Sequence, residues 1–148
     1  GKLRVFTTQQ MYTYDYKGVQ DAAGTKLVYG WQLIDTSNPA RGDGYMLLSP
    51  TSQVTGTAAL SELRLLTETD DRRFALPSSC VGAVVHGSSI YAFCDAYVYR
   101  SAISGQRFFG YSANLPEGTH LTGFLGMTSD GRALVTDGQT VWSLTTPQ

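Results

Sequence analysis

The stretch Gly82-Ala-Val-Val-His-Gly-Ser-Ser-Ile-Tyr-Ala-Phe-Cys-Asp-Ala-Tyr-Val-Tyr, ending at Tyr99, decides the fold, because Gly126-Met-Thr-Ser-Asp-Gly-Arg-Ala-Leu-Val-Thr-Asp-Gly-Gln-Thr-Val-Trp, ending at Trp142, lies over it. Gly82 falls on Gly126, His86-Gly87 on Asp130-Gly131, Ile90 on Leu134 and, after a one-residue gap, Tyr97-Val98 on Thr140-Val141; the offset is 44 residues and then 43. Each copy reads as a strand, a turn at His-Gly or Asp-Gly, a second strand, a turn near Asp95 or Gly138, and a third strand. Glycine supplies the positive φ that tight hairpin turns require.

The same pattern extends toward the N-terminus. Leu3-Arg-Val-Phe and Gln10-Met-Tyr-Thr-Tyr lie over Ile90-Tyr-Ala-Phe and Tyr97-Val-Tyr-Arg-Ser, and Gly18 over Gly105, at offset 87. Two copies at twice the unit spacing imply a third between them. Its best candidate runs from Gly44 through a turn at Pro50-Thr-Ser-Gln into Val54 to Ala59 and then Leu63 to Leu66. Ala58 to Leu66 also contains good helix formers at helical spacing, so strand and short helix both stand as readings there. A fourth strand follows the third in each unit, at Leu27 to Ile34, Arg73 to Leu76 and Arg107 to Leu115.

The expectation is therefore an all-β chain of antiparallel four-stranded meander repeats of about 43 residues, propeller-like, since blades have four strands and periods of roughly 40 to 50 residues. A β-sandwich with internal two-fold similarity is the alternative. Residues 1–148 read as one domain that is part of a larger propeller or assembly. The chain starts at the second strand of one unit and stops at the third of another. That is fewer units than a closed ring needs, so more chain or a neighbouring subunit, including a homo-oligomeric one, would have to complete it.

Composition agrees with strands. Nine Tyr, six Phe, 17 Thr and 13 Ser accompany only three Lys. Eleven basic and twelve acidic residues leave a net charge of −1, with no basic block to track a nucleic-acid backbone. Apolar runs such as Met46 to Leu48 and Val81 to Val85 fall far short of the roughly 20 residues a membrane helix needs. Nucleic acid and membrane insertion are excluded as partners on this reading. The chain opens on Gly1 and not Met, so it reads as a fragment whose targeting region lies outside it. Cys80 and Cys94 are symmetric about Gly87, so a tight hairpin would set them opposite each other as a disulfide; two small buried thiols are the alternative.

Ser101-Ala-Ile-Ser-Gly-Gln-Arg-Phe, ending at Phe108, resembles the Asp-box of BNR-type propellers, which forms the turn between a blade's third and fourth strands. Ile103 stands where that motif has Asp, and Arg107 where it has Thr. The resemblance implies architecture and not catalysis, because such boxes lie away from the active site. Sialidases of that class use an arginine triad, a Tyr and Glu pair and an Asp. No motif assigns Arg4, Arg41, Arg64, Arg100, Arg107 or Arg132 to such a role.

Other chemistry is sparse. His86 holds a turn position and His120 a polar loop, neither at metal-ligand spacing with the cysteines. Asp70-Asp71, Glu62 and Glu68 offer carboxylates for a glycosidase, although adjacent acids more often mark a solvated turn. No cofactor is implied. Arg41-Gly42-Asp43, in a loop rich in turn formers, resembles integrin ligands; a Gly-rich turn before Tyr45 is the plain reading. Tyr12, Tyr14 and Tyr16 alternate and so share one strand face, as do Tyr97 and Tyr99. Exposed, they suit stacking on sugar rings or protein partners; buried, they belong to a core that Phe6, Phe93, Val135 and Trp142 would join.

The functional expectation is a non-enzymatic binding module displaying Tyr12, Tyr14, Tyr16, Arg41, Gly42 and Asp43 to a carbohydrate or cell-surface protein. A viral or phage receptor-binding domain is one form of it, and an extracellular or virion-surface location is favoured. The alternatives are a fragment of a sialidase-like glycoside hydrolase and a structural domain completed by neighbouring subunits.

Overall fold

The computed structural model describes residues 2–7, 9–15, 26–36, 45–51, 60–67 and 70–148. All regular structure among them is β. The strands are β1 (Lys2–Phe6), β2 (Gln10–Asp15), β3 (Lys26–Leu27), β4 (Trp31–Thr36), β5 (Met46–Pro50), β6 (Leu60–Leu66), β7 (Asp71–Cys80), β8 (Gly82–His86), β9 (Ser89–Cys94), β10 (Tyr97–Ala102), β11 (Phe109–Ser112), β12 (Gly123–Met127), β13 (Arg132–Thr136) and β14 (Val141–Thr145). They form four antiparallel sheets in chain order: β1-β2-β3, β4-β5-β6-β7, β8-β9-β10-β11 and β12-β13-β14. Every sheet is a meander, each strand pairing with its neighbour in sequence.

Turn chemistry sets the hairpins. Gly87, Gly131 and Gly138 carry positive φ between paired strands, and Asp95 adopts φ 55° between β9 and β10. Leu60–Leu66, which has helix-forming composition, is a strand, because its alternate residues serve two different cores. Leu63 and Leu65 face the third sheet and Leu66 the first. The segment Leu27 to Ile34 does not run as one strand. It breaks at Val28–Gly30, where Gly30 at φ 85° turns the chain, so Lys26–Leu27 closes the first sheet and Trp31–Thr36 opens the second. The expected strand over residues 54–59 lies outside the described residues.

Each neighbouring pair of sheets encloses its own apolar core. Met11, Val28, Met46, Leu48 and Leu66 fill the space between the first and second sheets. Leu47, Leu63, Leu65 and Phe74 meet Ala83, Val85, Ile90 and Ala92 between the second and third. Tyr91, Phe93 and Val98 meet Ala133, Val135 and Leu144 between the third and fourth. Strand β9 explains how one sheet serves two cores: Ile90, Ala92 and Cys94 point to the second sheet, while Tyr91 and Phe93 point to the fourth. A strand buried on both faces reads as a continuous apolar run, as Ile90 to Cys94 does.

Polar ties connect the sheets. Arg64 is buried; its Nε and Nη2 bond both carboxylate oxygens of Asp71 at 2.8 and 2.7 Å, and Nη1 donates to the Leu27 carbonyl of the first sheet at 2.8 Å. Asp71 is thus held in an ion pair and does not sit in a solvated turn. The Val85 amide of β8 donates to Asp35 Oδ2 of β4 at 2.9 Å, so a side chain satisfies a backbone group along the β8 edge. Cys80 and Cys94 form a disulfide. The geometry differs from a symmetric hairpin. β8 and β9 pair as Gly82↔Phe93 and His86↔Ser89, one residue out of that register, and Cys80 belongs to β7 of the second sheet.

Candidate interaction surface

Strand β11 is the outer strand of the third sheet, and its sequence Phe109-Gly-Tyr-Ser alternates large and small residues. Gly110 is required where β11 passes under Tyr99, because a Cβ there would stand 2.7 Å from Tyr99 Cε1. Register places Phe109 opposite Arg100 and Tyr111 opposite Val98. Since Val98 belongs to the core shared with the fourth sheet, Phe109 and Tyr111 project to that same side. They are 54% and 42% exposed. The Arg107 guanidinium stacks over the Phe109 ring, 5.0 Å from its centroid.

The corresponding place between the second and third sheets is closed. Outer strand β7 carries Phe74, only 3% exposed, whose ring meets Phe108 edge-on at 5.8 Å. Arg72 of the same strand donates to the carbonyls of Gly105, at 3.0 Å, and Ile103, pinning the turn that precedes β11. Within that turn the Gly105 amide donates to Ala102 O at 2.8 Å, and a Cβ on Gly105 would lie 2.9 Å from Ser101 Oγ. What differs on the other side is strand number. The fourth sheet has three strands among the described residues.

Tyr97 and Tyr99 project from β10 to the second-sheet side, with ring centroids 6.1 Å apart; Tyr97 is exposed, whereas Tyr99 packs against the core. Tyr12 on β2 is half-buried and bonds through its hydroxyl to the Gln10 side chain. Tyr14 pairs with Leu3 in the β1–β2 ladder. Tyr16, Arg41, Gly42 and Asp43 lie outside the described residues. Phe93 and Val135 are buried core residues and Trp142 packs against that core.

Several polar groups singled out for chemistry are engaged in structure. His120 Nδ1 contacts Asp95 Oδ1, both well exposed, beside the backbone bond from the Leu121 amide to Asp95 O. His86 ends β8 with Nε2 3.1 Å from where a Gly131 Cβ would lie, so the equivalent turns of the third and fourth sheets touch. Arg100 donates to Ser89 Oγ at 2.9 Å and Arg132 to Ser143 Oγ at 2.7 Å. Both cysteines are consumed in the disulfide. Among the described residues, no group of three His, Cys, Asp or Glu is placed to hold a metal ion.

The exposed Phe109 and Tyr111 were not singled out by sequence reasoning. The available signal is the alternating aromatic pair Phe109 and Tyr111 on an expected fourth strand. Comparison with family models, curated proteins and solved structures returns no match.

Proposed function

We propose that this chain is a propeller-like arc acting as a non-enzymatic interaction module, which meets a protein partner along the exposed aromatic face of Phe109 and Tyr111 on β11. The observation that carries this reading is the exposure of the large side chains of Phe109 and Tyr111 side by side on one face of β11. Large exposed apolar side chains grouped on one surface mark interaction sites. A propeller-like arrangement is supported by four successive meanders stacked face to face, and by contacts that run between first strands, β4 with β8 and β8 with β12. The turn over Ser101–Phe108 joins the third and fourth strands of its sheet, the position an Asp-box takes, which supports the BNR-type resemblance. A disulfide suits an extracellular or virion-surface setting.

The sialidase reading has less support, because Arg64, Arg72, Arg100 and Arg132 all have partners within the chain. The test uses the purified chain in three assays. It is expected to leave a fluorogenic sialoside intact and to retain no sugar on a glycan array. It is also expected to bind the apolar dye bis-ANS in a manner weakened by Phe109→Ser with Tyr111→Ser. Sialoside turnover abolished by an arginine substitution would overturn the proposal in favour of a hydrolase. A glycan hit lost with Tyr111→Ser would overturn it in favour of sugar binding.

A further inference from the structure

We infer that Arg72 is the positioning residue for β11: its guanidinium fork reaches across from the second sheet and fixes the Ser101–Phe108 turn, which sets where Phe109 and Tyr111 are presented. The inference rests on the reading of those two side chains as a contact face only for what the positioning serves. Arg72 and Phe74 hold alternate positions on β7, so both project toward the third sheet. Arg72 Nη1 donates to Gly105 O at 3.0 Å and Nη2 to Ile103 O. The guanidinium also lies 5.4 Å from the centroid of the Phe74 ring, and that ring meets Phe108 edge-on at the far end of the turn. Two residues of one strand thus hold both ends of a turn in the next sheet.

The turn needs such a hold. Residues 103–108 separate β10 from β11, a connection too long to dictate the strand pairing as a two-residue hairpin loop does. Its own backbone bonds, Gly105 N to Ala102 O at 2.8 Å and Ile103 N to Ser88 O at 2.9 Å, lie at the β10 end. The half next to β11 is reached from β7, by Arg72 through Gly105 O and by Phe74 through Phe108. Phe108 and Phe109 are consecutive and project to opposite faces, so the placement of the turn decides which aromatic enters the core with Phe74 and which is presented. The shape of the side chain matters as much as its charge. The two acceptors are main-chain carbonyls spanned by a planar fork, and a Lys ammonium is a compact point donor. Arg72 Nε is buried with no hydrogen-bond partner among the described residues, so the fold leaves one N–H unused while the other two nitrogens bridge the turn.

NMR of the isotope-labelled chain tests this. In the unaltered chain the Arg72 Nη signals are expected to be resolved by hindered rotation of the guanidinium; free rotation overturns the inference without recourse to a variant. In Arg72→Met, exchange of the β10–β11 ladder amides is expected to quicken at least about tenfold more than that of the β8–β9 amides, with loss of the Phe74–Phe108 ring contact. Arg72→Lys is expected to behave like Arg72→Met. Equal quickening in both hairpins would make Arg72 a general stabiliser and overturn the inference, as would wild-type behaviour of Arg72→Lys. Gly105→Ala disturbs the turn from its other side, since its Cβ would lie 2.9 Å from Ser101 Oγ, and is expected to free the Arg72 Nη rotation. Bis-ANS binding is expected to weaken in Arg72→Met. Unchanged dye binding beside a loosened turn overturns the link to the contact face, whereas a wild-type chain that binds no dye defeats the contact-face reading and leaves the exchange result standing.

Discussion

Cys80 ends β7 and Cys94 ends β9, so their disulfide joins two sheets and not two strands of one hairpin. It clamps the second sheet to the third at one end of the core that Leu47, Leu63, Phe74, Ile90 and Ala92 share. A cross-link with a sequence separation of 14 stabilises by about 3 kcal/mol, mainly by restricting the unfolded chain. Cys80→Ala with Cys94→Ala is expected to lower unfolding stability by about that amount in urea titrations. A change below about 1 kcal/mol would show that the clamp adds little to the packed core.

Arg64 and Asp71 form a second tie, with a guanidinium buried between sheets and anchored at three points. Removing the carboxylate would leave a buried cation with the Leu27 carbonyl and the face of Trp31, 5.6 Å away, as its remaining support. Asp71→Ala is expected to cost about 3 kcal/mol, near the low end for a broken buried pair because Asp71 is a third exposed. Arg64→Met with Asp71→Ala, which removes both charges, should recover a large part of that loss. A double variant less stable than the single one would contradict the account.

Much of this arrangement is legible in the sequence, and the part that is not has physical causes. Local chemistry announces the turns: Gly87, Asp95, Gly131 and Gly138 sit where a chain of alternating strands must reverse, and positive φ is found at each. The all-apolar run Ile90 to Cys94 marks a strand covered on both faces. The break at Val28–Gly30 is masked because Val28, Tyr29 and Trp31 are strand-favouring on either side of the one turn residue, Gly30, and burial of Val28 between sheets marks the end of one strand before the next begins. Asp71 looks like half of a solvated acidic pair because its partner, seven residues earlier, is paired to it across the β6–β7 hairpin and not along the chain. Phe109 and Tyr111 are ordinary core residues by composition. Their exposure depends on what packs over β11 in three dimensions, which no local pattern carries.

Gly82 lies where the third and fourth sheets approach closely. A Cβ built there would fall 2.4 Å from Phe124 Cβ, so β8 and β12 can touch only without a side chain at this position. Phe124 is itself fixed by stacking on Phe93, with the planes 12° apart, which denies it an easy shift. Gly82→Ala is expected to destabilise by about 1–3 kcal/mol through overpacking, measured as a lower urea midpoint with unchanged slope. Gly87→Ala is the contrast: it meets no atoms but holds φ 62°, so its cost would come from backbone strain alone. Near-neutral behaviour of Gly82→Ala would mean that the two sheets do not sit this close.

Acid should open the β13–β14 turn before it opens the sheets. Asp137 Oδ1 accepts the amides of Thr140 and Gln139 at 2.8 and 2.9 Å, and these backbone bonds hold its carboxyl below the ordinary carboxylate range. Because the folded-state value is depressed, the contribution of these bonds is fully present above the unfolded-state value and is lost as pH falls through the folded one. The amide resonances of Gln139 and Thr140 should therefore titrate together, at a pH below that of an unstructured Asp. Asp137→Asn should remove the titration while keeping one acceptor for the turn. This turn sets the start of β14, so its loosening should fray Val141 before Leu144, whose side chain is buried in the core. Simultaneous broadening of both strand ends would instead place the acid-sensitive step in the core.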